Sequence, residues 1–307
     1  MFIINPDPFL LPTYRISPFK TEHIAINNEL PKDDFASDYF NKKFGEGNWH
    51  YTCNGREAIE LALQQYQLRK DDLVTILTTS ENFYISSCVT KSIEKYCHWN
   101  REIVPETRII LVNHEFGYPY AEMERIKEMG LPIIEDCCTT FFSQDKEEKI
   151  GKYGDFAVYS FPKFFPIQIG GILAANKIKI SNMHAGLANN EIQYIENVVS
   201  HNLRNESGLL ERRNHNFDYA VKKMSGLGFS ERFLKDKKIV PSALLLNNNG
   251  IIKNLDHLKK FLFDNGIQSS IFYGEDAFFI PTHQNLDTVE IDFHYELLSS
   301  YLKYNNR

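Results

Sequence analysis

Gly154-Asp155-Phe156-Ala157-Val158-Tyr159-Ser160-Phe161-Pro162-Lys163, followed by Gly170-Gly171, is the stretch around which the rest of this chain is organised. A β-rich run ends in Ser-Phe-Pro, and one lysine sits on the turn that follows. A second apolar run, Ile172 to Ala175, comes after the paired glycines. A lysine at the mouth of a buried sheet suits Schiff-base chemistry, because desolvation lowers an amine's pKa. An arbitrary loop lysine is simply solvated, so the assignment depends on the company Lys163 keeps.

Upstream, Asn54-Gly55 precedes a helical apolar pattern through Ala58, Ile59, Leu61, Ala62 and Leu63. A glycine-opened helix N-terminus offers free backbone N–H groups and a positive dipole end, which suits a phosphate. The same dipeptide serves equally as a plain cap. Buried strands are expected at 73–77, 108–113, 131–136, 156–161 and 172–175, with helices at 35–44, 83–96 and 121–129. This alternation predicts an α/β fold with a mostly parallel sheet covered by helices on both faces. Ligands then sit beyond the carboxyl ends of the strands, where Asn54-Gly55, Asp136 and Lys163 fall.

Residues 1 to about 30 read as an extended arm on the body or on a partner subunit. The chain from Lys177 to about Asn216 reads as polar and helical. The tail reads as a smaller α/β unit: strand 243–246, helix 255–264, strand 267–273 and helix 289–302. The expected division is a large domain over 1–200 and a small one over 201–307.

The 307 residues are 43% hydrophobic and 24% charged, an ordinary globular composition. The net charge of -6 comes without a basic block, which argues against nucleic acid. No apolar run reaches membrane-spanning length, and the N-terminus lacks a signal-peptide pattern. The five cysteines are odd in number and lack C-x-x-C, which suits a reduced, cytoplasmic protein. Cys137 and Cys138, as strand neighbours, should face opposite ways, which disfavours a disulfide or shared metal. No metal site is expected from the histidines. His114 has no assigned role, His283 reads as structural, and Arg212-Arg213 read as solvated helix charges, with a diphosphate as the alternative partner for such a basic pair.

Asp136 ends a buried strand and could cap a turn, bind a metal or pair with a protonated ring nitrogen. With Lys163, Ser160 and a glycine-opened helix beside it, the set matches the needs of pyridoxal phosphate (PLP): an amine, an anion for the ring nitrogen, phosphate donors and a stacking aromatic. Phe83 or Tyr84 could be that aromatic.

These motifs together resemble the nucleotide-sugar aminotransferase family (DegT/DnrJ/StrS type) of fold-type-I PLP enzymes. The resemblance rests on Asn54-Gly55-Arg56-Glu57-Ala58-Ile59, the Val112 to Pro119 stretch, Ile133-Ile134-Glu135-Asp136, the Gly154 to Gly171 region, Gly266-Ile267-Gln268 and Ile280 to Leu286. It implies an aspartate-aminotransferase-like fold and a homodimer. It also implies transfer of an amino group, from glutamate, to a keto group on a nucleotide-linked sugar. Lys163 would form the Schiff base and move the proton, and Asp136 would pair with the pyridine nitrogen. Gly55 and Arg56 amides and the Ser160 hydroxyl would hold phosphate. Thr139 stands where the family has Gln or His against the phenolic oxygen. A lysine rather than histidine at position 163 favours transamination over sugar dehydration. The family's Gly-x-Asn-x-Arg segment after the double glycine is not recognisable, and Ser160 stands three residues before the lysine rather than five. The alternative reading is an aminotransferase-like protein with lost or altered activity, serving as a binding or regulatory module. A further one is an α/β protein with an ordinary phosphate site.

Overall fold

The computed structural model describes residues 12–178 and 186–304. The elements run α1 (His23–Asn28), α2 (Phe35–Phe44), β1 (Trp49–Thr52), α3 (Gly55–Gln64), β2 (Leu73–Thr78), α4 (Ser87–Glu94), β3 (His98–Asn100) and β4 (Thr107–Asn113). They continue with α5 (Met123–Glu128), β5 (Ile133–Asp136), β6 (Phe156–Ser160) and β7 (Gly171–Ala175). Two long helices follow, α6 (Asn189–Arg204) and α7 (Glu206–Ser225). The tail holds β8 (Ser230–Glu231), β9 (Leu244–Asn247), α8 (Leu255–Asp264), β10 (Ala277–Ile280) and α9 (Thr288–Tyr304).

The large sheet has the order β1-β7-β6-β5-β4-β2-β3. Pairings from β3 through β6 are parallel, while β7 runs antiparallel to both neighbours. The strand β6 shows why the sheet is buried on both sides. Phe156 and Val158 point into one apolar cluster with Ala58, Ile59 and Leu173, and Ala157 and Tyr159 point into the other with Phe40, Ile110 and Ile172. The period of two thus fills both faces with apolar side chains. Cys137 and Cys138 lie just beyond the end of β5 rather than within a strand; Cys137 lies in one cluster and Cys138 packs against the other, so the adjacent thiols face apart. A second, antiparallel sheet has the order β10-β9-β8.

Two sequence expectations change in the structure. The helix expected over 83–96 begins only at Ser87, because the Ser86 hydroxyl caps it by accepting from the Cys88 amide. Before it, the Asn82 side chain accepts from the Tyr84 amide and holds 82–86 outside the helix. Asn/Ser side chains that take backbone donors compete with helix in this way. The strand expected over 267–273 is reduced to isolated bridges, Tyr14 with Ile267 and Ile271 with Phe278. The apolar Ala277–Ile280 run takes the ladder with β9 instead.

The N-terminal segment lies on the body from the first described residues onward. The Tyr14 amide donates to the Gly266 carbonyl, and the Asn27 side chain donates to the Pro166 carbonyl. Of the extended arm expected over residues 1 to about 30, 1–11 lie outside the described residues and His23–Asn28 is helical instead; 179–185 of the expected helical connection also lie outside. The expected division after residue 200 falls within α6. Among the described residues no helix is long and apolar enough to cross a membrane.

Asn54 caps α3 by accepting from the Glu57 amide at 3.0 Å. Asn54→Ala is expected to cost about 1 kcal/mol of stability, read as a lower midpoint in urea with an unchanged slope.

Candidate active site

The parallel strands end around one cavity of about 450 Å³. Its wall includes Asn54, Gly55, Arg56, Tyr84, Asp136, Thr139, Ser160 and Lys163. These residues come from the α3 N-terminus, the segment before α4, the end of β5 and the end of β6, so the fold unites sequence positions spread over more than a hundred residues. The β4–β5 register sets Asn113 beside Asp136, and Asn113 also lines the cavity.

Lys163 ends a short 3-10 turn, Phe161–Lys163, that follows directly from β6. Pro162 suits the start of such a turn, where its missing N–H has no partner to lose. The Phe164 and Phe165 amides both donate to the Phe161 carbonyl, which closes the turn tightly. Behind it, Phe161, Phe164 and Phe165 are fully buried, so the lysine projects from an immovable apolar base.

Asp136 is almost wholly buried, and its Oδ1 accepts from the Cys138 amide at 3.0 Å. Burial pushes its carboxyl above the ordinary range, partly opposed by the Cys138 hydrogen bonds and the Lys163 charge. A buried carboxylate that keeps capacity for a further donor is suited to a cationic N–H.

Gly55 is needed for close approach. A Cβ there would stand 2.5 Å from Cys138 Sγ and 3.2 Å from Ser160 Cβ. The α3 backbone therefore packs directly against the ends of β5 and β6. Arg56 donates from its guanidinium to Cys88 Sγ at 3.0 Å. Burial raises the Cys88 pKa, but the Arg56 and Ser86 hydrogen bonds and the Arg56 and Lys163 charges outweigh it, leaving the thiol below its ordinary value.

Of the two aromatic candidates the structure puts Tyr84 in the cavity wall. Its ring is packed edge-on against Phe272. Phe83 is corrected: it is 77% exposed and is not in the cavity wall, lying in the bend that the Asn82 side chain holds by accepting from the Tyr84 amide. Thr139 lines the cavity, but its hydroxyl donates to the His114 carbonyl at 2.9 Å. Its proton is therefore committed, and toward the cavity the hydroxyl can only accept.

One residue has a different setting from the one the sequence suggested, and others gain a setting. Arg213 is fully buried rather than a solvated helix charge. A guanidinium can be buried where carbonyl oxygens take up its N–H groups. His114 is fully buried; Nδ1 accepts from the Tyr120 amide at 3.0 Å, and Nε2 faces Glu135 at 3.3 Å. Glu135 accepts from the amides of Gly151, Tyr153 and Gly154. Glu135, His114 and Cys137 cluster as metal ligands would, but amide donors already fill the carboxylate, which marks the group as a structural lock. His283 is buried, and burial with the nearby Arg213 charge holds it neutral, in keeping with a structural role. Glu115 lines the cavity and was not foreseen; its Oε2 is held by the Ser80 amide at 2.7 Å.

Comparison with known proteins agrees with this geometry. Residues 96–173 match the model of the DegT/DnrJ/EryC1/StrS aminotransferase family. No curated protein matches the chain. Among solved structures, an aminotransferase from Streptoalloteichus hindustanus superposes with a TM-score of 0.72 at 15% identity, covering 95% of this chain and 99% of the other. A sugar aminotransferase from Micromonospora echinospora gives a TM-score of 0.66 at 16% identity, with 95% and 99% covered. A candidate sugar aminotransferase from Streptococcus pneumoniae, in its PLP form, gives 0.64 at 14% identity, with 96% and 98% covered. The expectations of an aminotransferase-family enzyme, of its fold and of PLP as cofactor agree with these findings. Residues 96–173 are thus similar to the DegT/DnrJ/EryC1/StrS aminotransferase family, whose enzymes depend on PLP, and the chain carries an aminotransferase fold over nearly its whole length.

Proposed function

We propose that this chain moves an amino group from an amino donor, glutamate, to a keto group on a nucleotide-linked sugar, using PLP bound at Lys163. The observation that carries this reading is the convergence of Lys163, Asp136, Gly55 and Ser160 on one cavity at the carboxyl ends of the parallel strands. The residues fit the cofactor. The cavity wall has a lysine, a buried carboxylate, a helix N-terminus whose glycine leaves no room for a Cβ, and one half-buried tyrosine. When bound, PLP supplies an aldehyde for an amine and a protonated ring that withdraws electrons.

Lys163 would present the amine and would be the group that carries a proton between two carbon positions. Its rigid turn keeps the amine near those positions, which is where a general base gains its rate. Asp136 holds the ring nitrogen protonated through a charge-assisted hydrogen bond in a dry setting. The Gly55 and Arg56 amides and the Ser160 hydroxyl hold phosphate at the positive end of α3. Tyr84, in the cavity wall, would be the aromatic that packs on the ring. The 1–200 and 201–307 division, the homodimer, and a cytoplasmic location remain part of this proposal. Surface-glycan synthesis is the pathway that fits a nucleotide-sugar substrate.

Gly55→Ala is expected to weaken PLP binding about tenfold by pushing Cys138 and the phosphate-facing backbone apart, and Cys138→Ala in the same chain should restore most of it. Fluorescence titration with PLP checks both. The function itself is tested by adding glutamate to the PLP-loaded protein. Loss of the visible band, restored by a nucleotide-linked keto-sugar with formation of its amine, is the expected result. A band that persists with every amino donor would favour the alternative, a protein of lost or altered activity. The committed hydroxyl of Thr139 is the observation on that side.

A further inference from the structure

The turn that carries Lys163 is gripped from behind by a buried cation. Arg213, on α7, donates from Nε and Nη2 to Gln284 Oε1 at 3.1 and 2.9 Å. Its Nη1 donates to the Pro241 carbonyl at 3.1 Å and its Nη2 to the Lys163 carbonyl at 3.4 Å. Gln284 in turn donates to the Phe164 carbonyl at 2.7 Å. The guanidinium also lies 4.6 Å from the Phe164 ring centre. Among the described residues its hydrogen-bond partners are all carbonyl oxygens, and burial pulls its pKa down to about 9.

An unpaired buried cation is costly, and a space-filling role would be served better by an apolar side chain. This one is placed where the short turn ends. Carbonyls at such an end lack partners within the turn and carry partial negative charge. Arg213 and Gln284 supply donors to two successive ones, those of Lys163 and Phe164.

We infer that Arg213, oriented by Gln284, is a positioning residue that fixes the backbone of the lysine turn and so aims the Lys163 amine into the cavity. The inference rests on reading Lys163 as the Schiff-base residue for its meaning, but the grip itself can be measured without cofactor. It also ties α7 and the segment after β10 to the reactive lysine, so the C-terminal part of the chain is needed for the chemistry and not only for substrate binding.

The test is hydrogen exchange on the full-length protein without PLP, comparing wild type with Arg213→Met, Gln284→Met, the double variant and Arg213→Lys. Should Arg213→Met not fold, Gln284→Met carries the same comparison. The expected result is exchange about tenfold faster at the Phe164 and Phe165 amides, the scale of one lost hydrogen bond to a charged group, with β4 and β5 unchanged. The double variant should be no faster than Arg213→Met, since the two side chains act as one unit, and Arg213→Lys should recover part of the loss. The rate of PLP uptake should fall in the same order. Exchange that is unchanged at these amides, or faster throughout the chain alike, overturns the inference. Selective loosening in a protein that takes up no PLP would uphold the grip and contradict the proposed function instead.

Discussion

Lys163→Ala is expected to lower amino transfer by about 10⁴-fold or more, because on the proposed reading one substitution removes both the attaching amine and the proton carrier. Its effect on stability should be small. The side chain is only partly buried and makes no hydrogen bond or ion pair among the described residues. The turn itself is held by backbone bonds and by the apolar base of Phe161, Phe164 and Phe165. A midpoint of thermal unfolding close to wild type, with activity gone, is the combination to look for. Parallel loss of both would mean that Lys163 serves the fold.

Asp136→Ala should be the second large effect, with a fall in turnover on the order of 10³-fold while PLP still attaches at Lys163. On the proposed reading the carboxylate would hold the ring nitrogen protonated, a role that Asp136→Ala removes. Asp136→Glu should retain more activity than Asp136→Ala, but less than wild type, since the longer side chain must displace the Cys138 amide contact at 3.0 Å. The pH dependence has a definite sign. Burial raises the carboxyl's pKa above the ordinary range in the free protein. As pH falls through that raised value the anion is lost, so PLP affinity should drop at a pH where an ordinary carboxylate is still ionised. In Asp136→Asn this drop should vanish. Equilibrium titration of PLP across the acid range decides the point.

The parts of the site that could be read from sequence are those with a local signature. Asn54-Gly55 before an apolar helical stripe marked the α3 entrance, and Asp136 and Lys163 followed buried strands whose composition is unmistakable. Short or edge elements carried no such signature. The strands β1 and β3 are edge strands of the large sheet; only half of β1 is buried and no residue of β3 is, so neither stood out as an apolar run. The segment 267–273 had strand-like residues, yet Ala277–Ile280 won the pairing with β9, a contest settled by tertiary register that local propensity does not contain. Arg213 was misread for the same reason. On its own helix it looks like one more charge beside Arg212, and only the approach of Gln284, Pro241 and the lysine turn buries it. The choice between Phe83 and Tyr84 needed the onset of α4, which depends on the Ser86 cap.

Every role proposed for the cavity depends on PLP attaching to Lys163. Attachment can be read by incubating the protein with PLP, reducing with borohydride, digesting and mapping the modified peptide by mass. A single reduced phosphopyridoxyl adduct on Lys163 is expected, with the visible band absent in Lys163→Ala. A band and adduct located on another lysine, or no adduct in a folded protein saturated with PLP, would contradict the assignment.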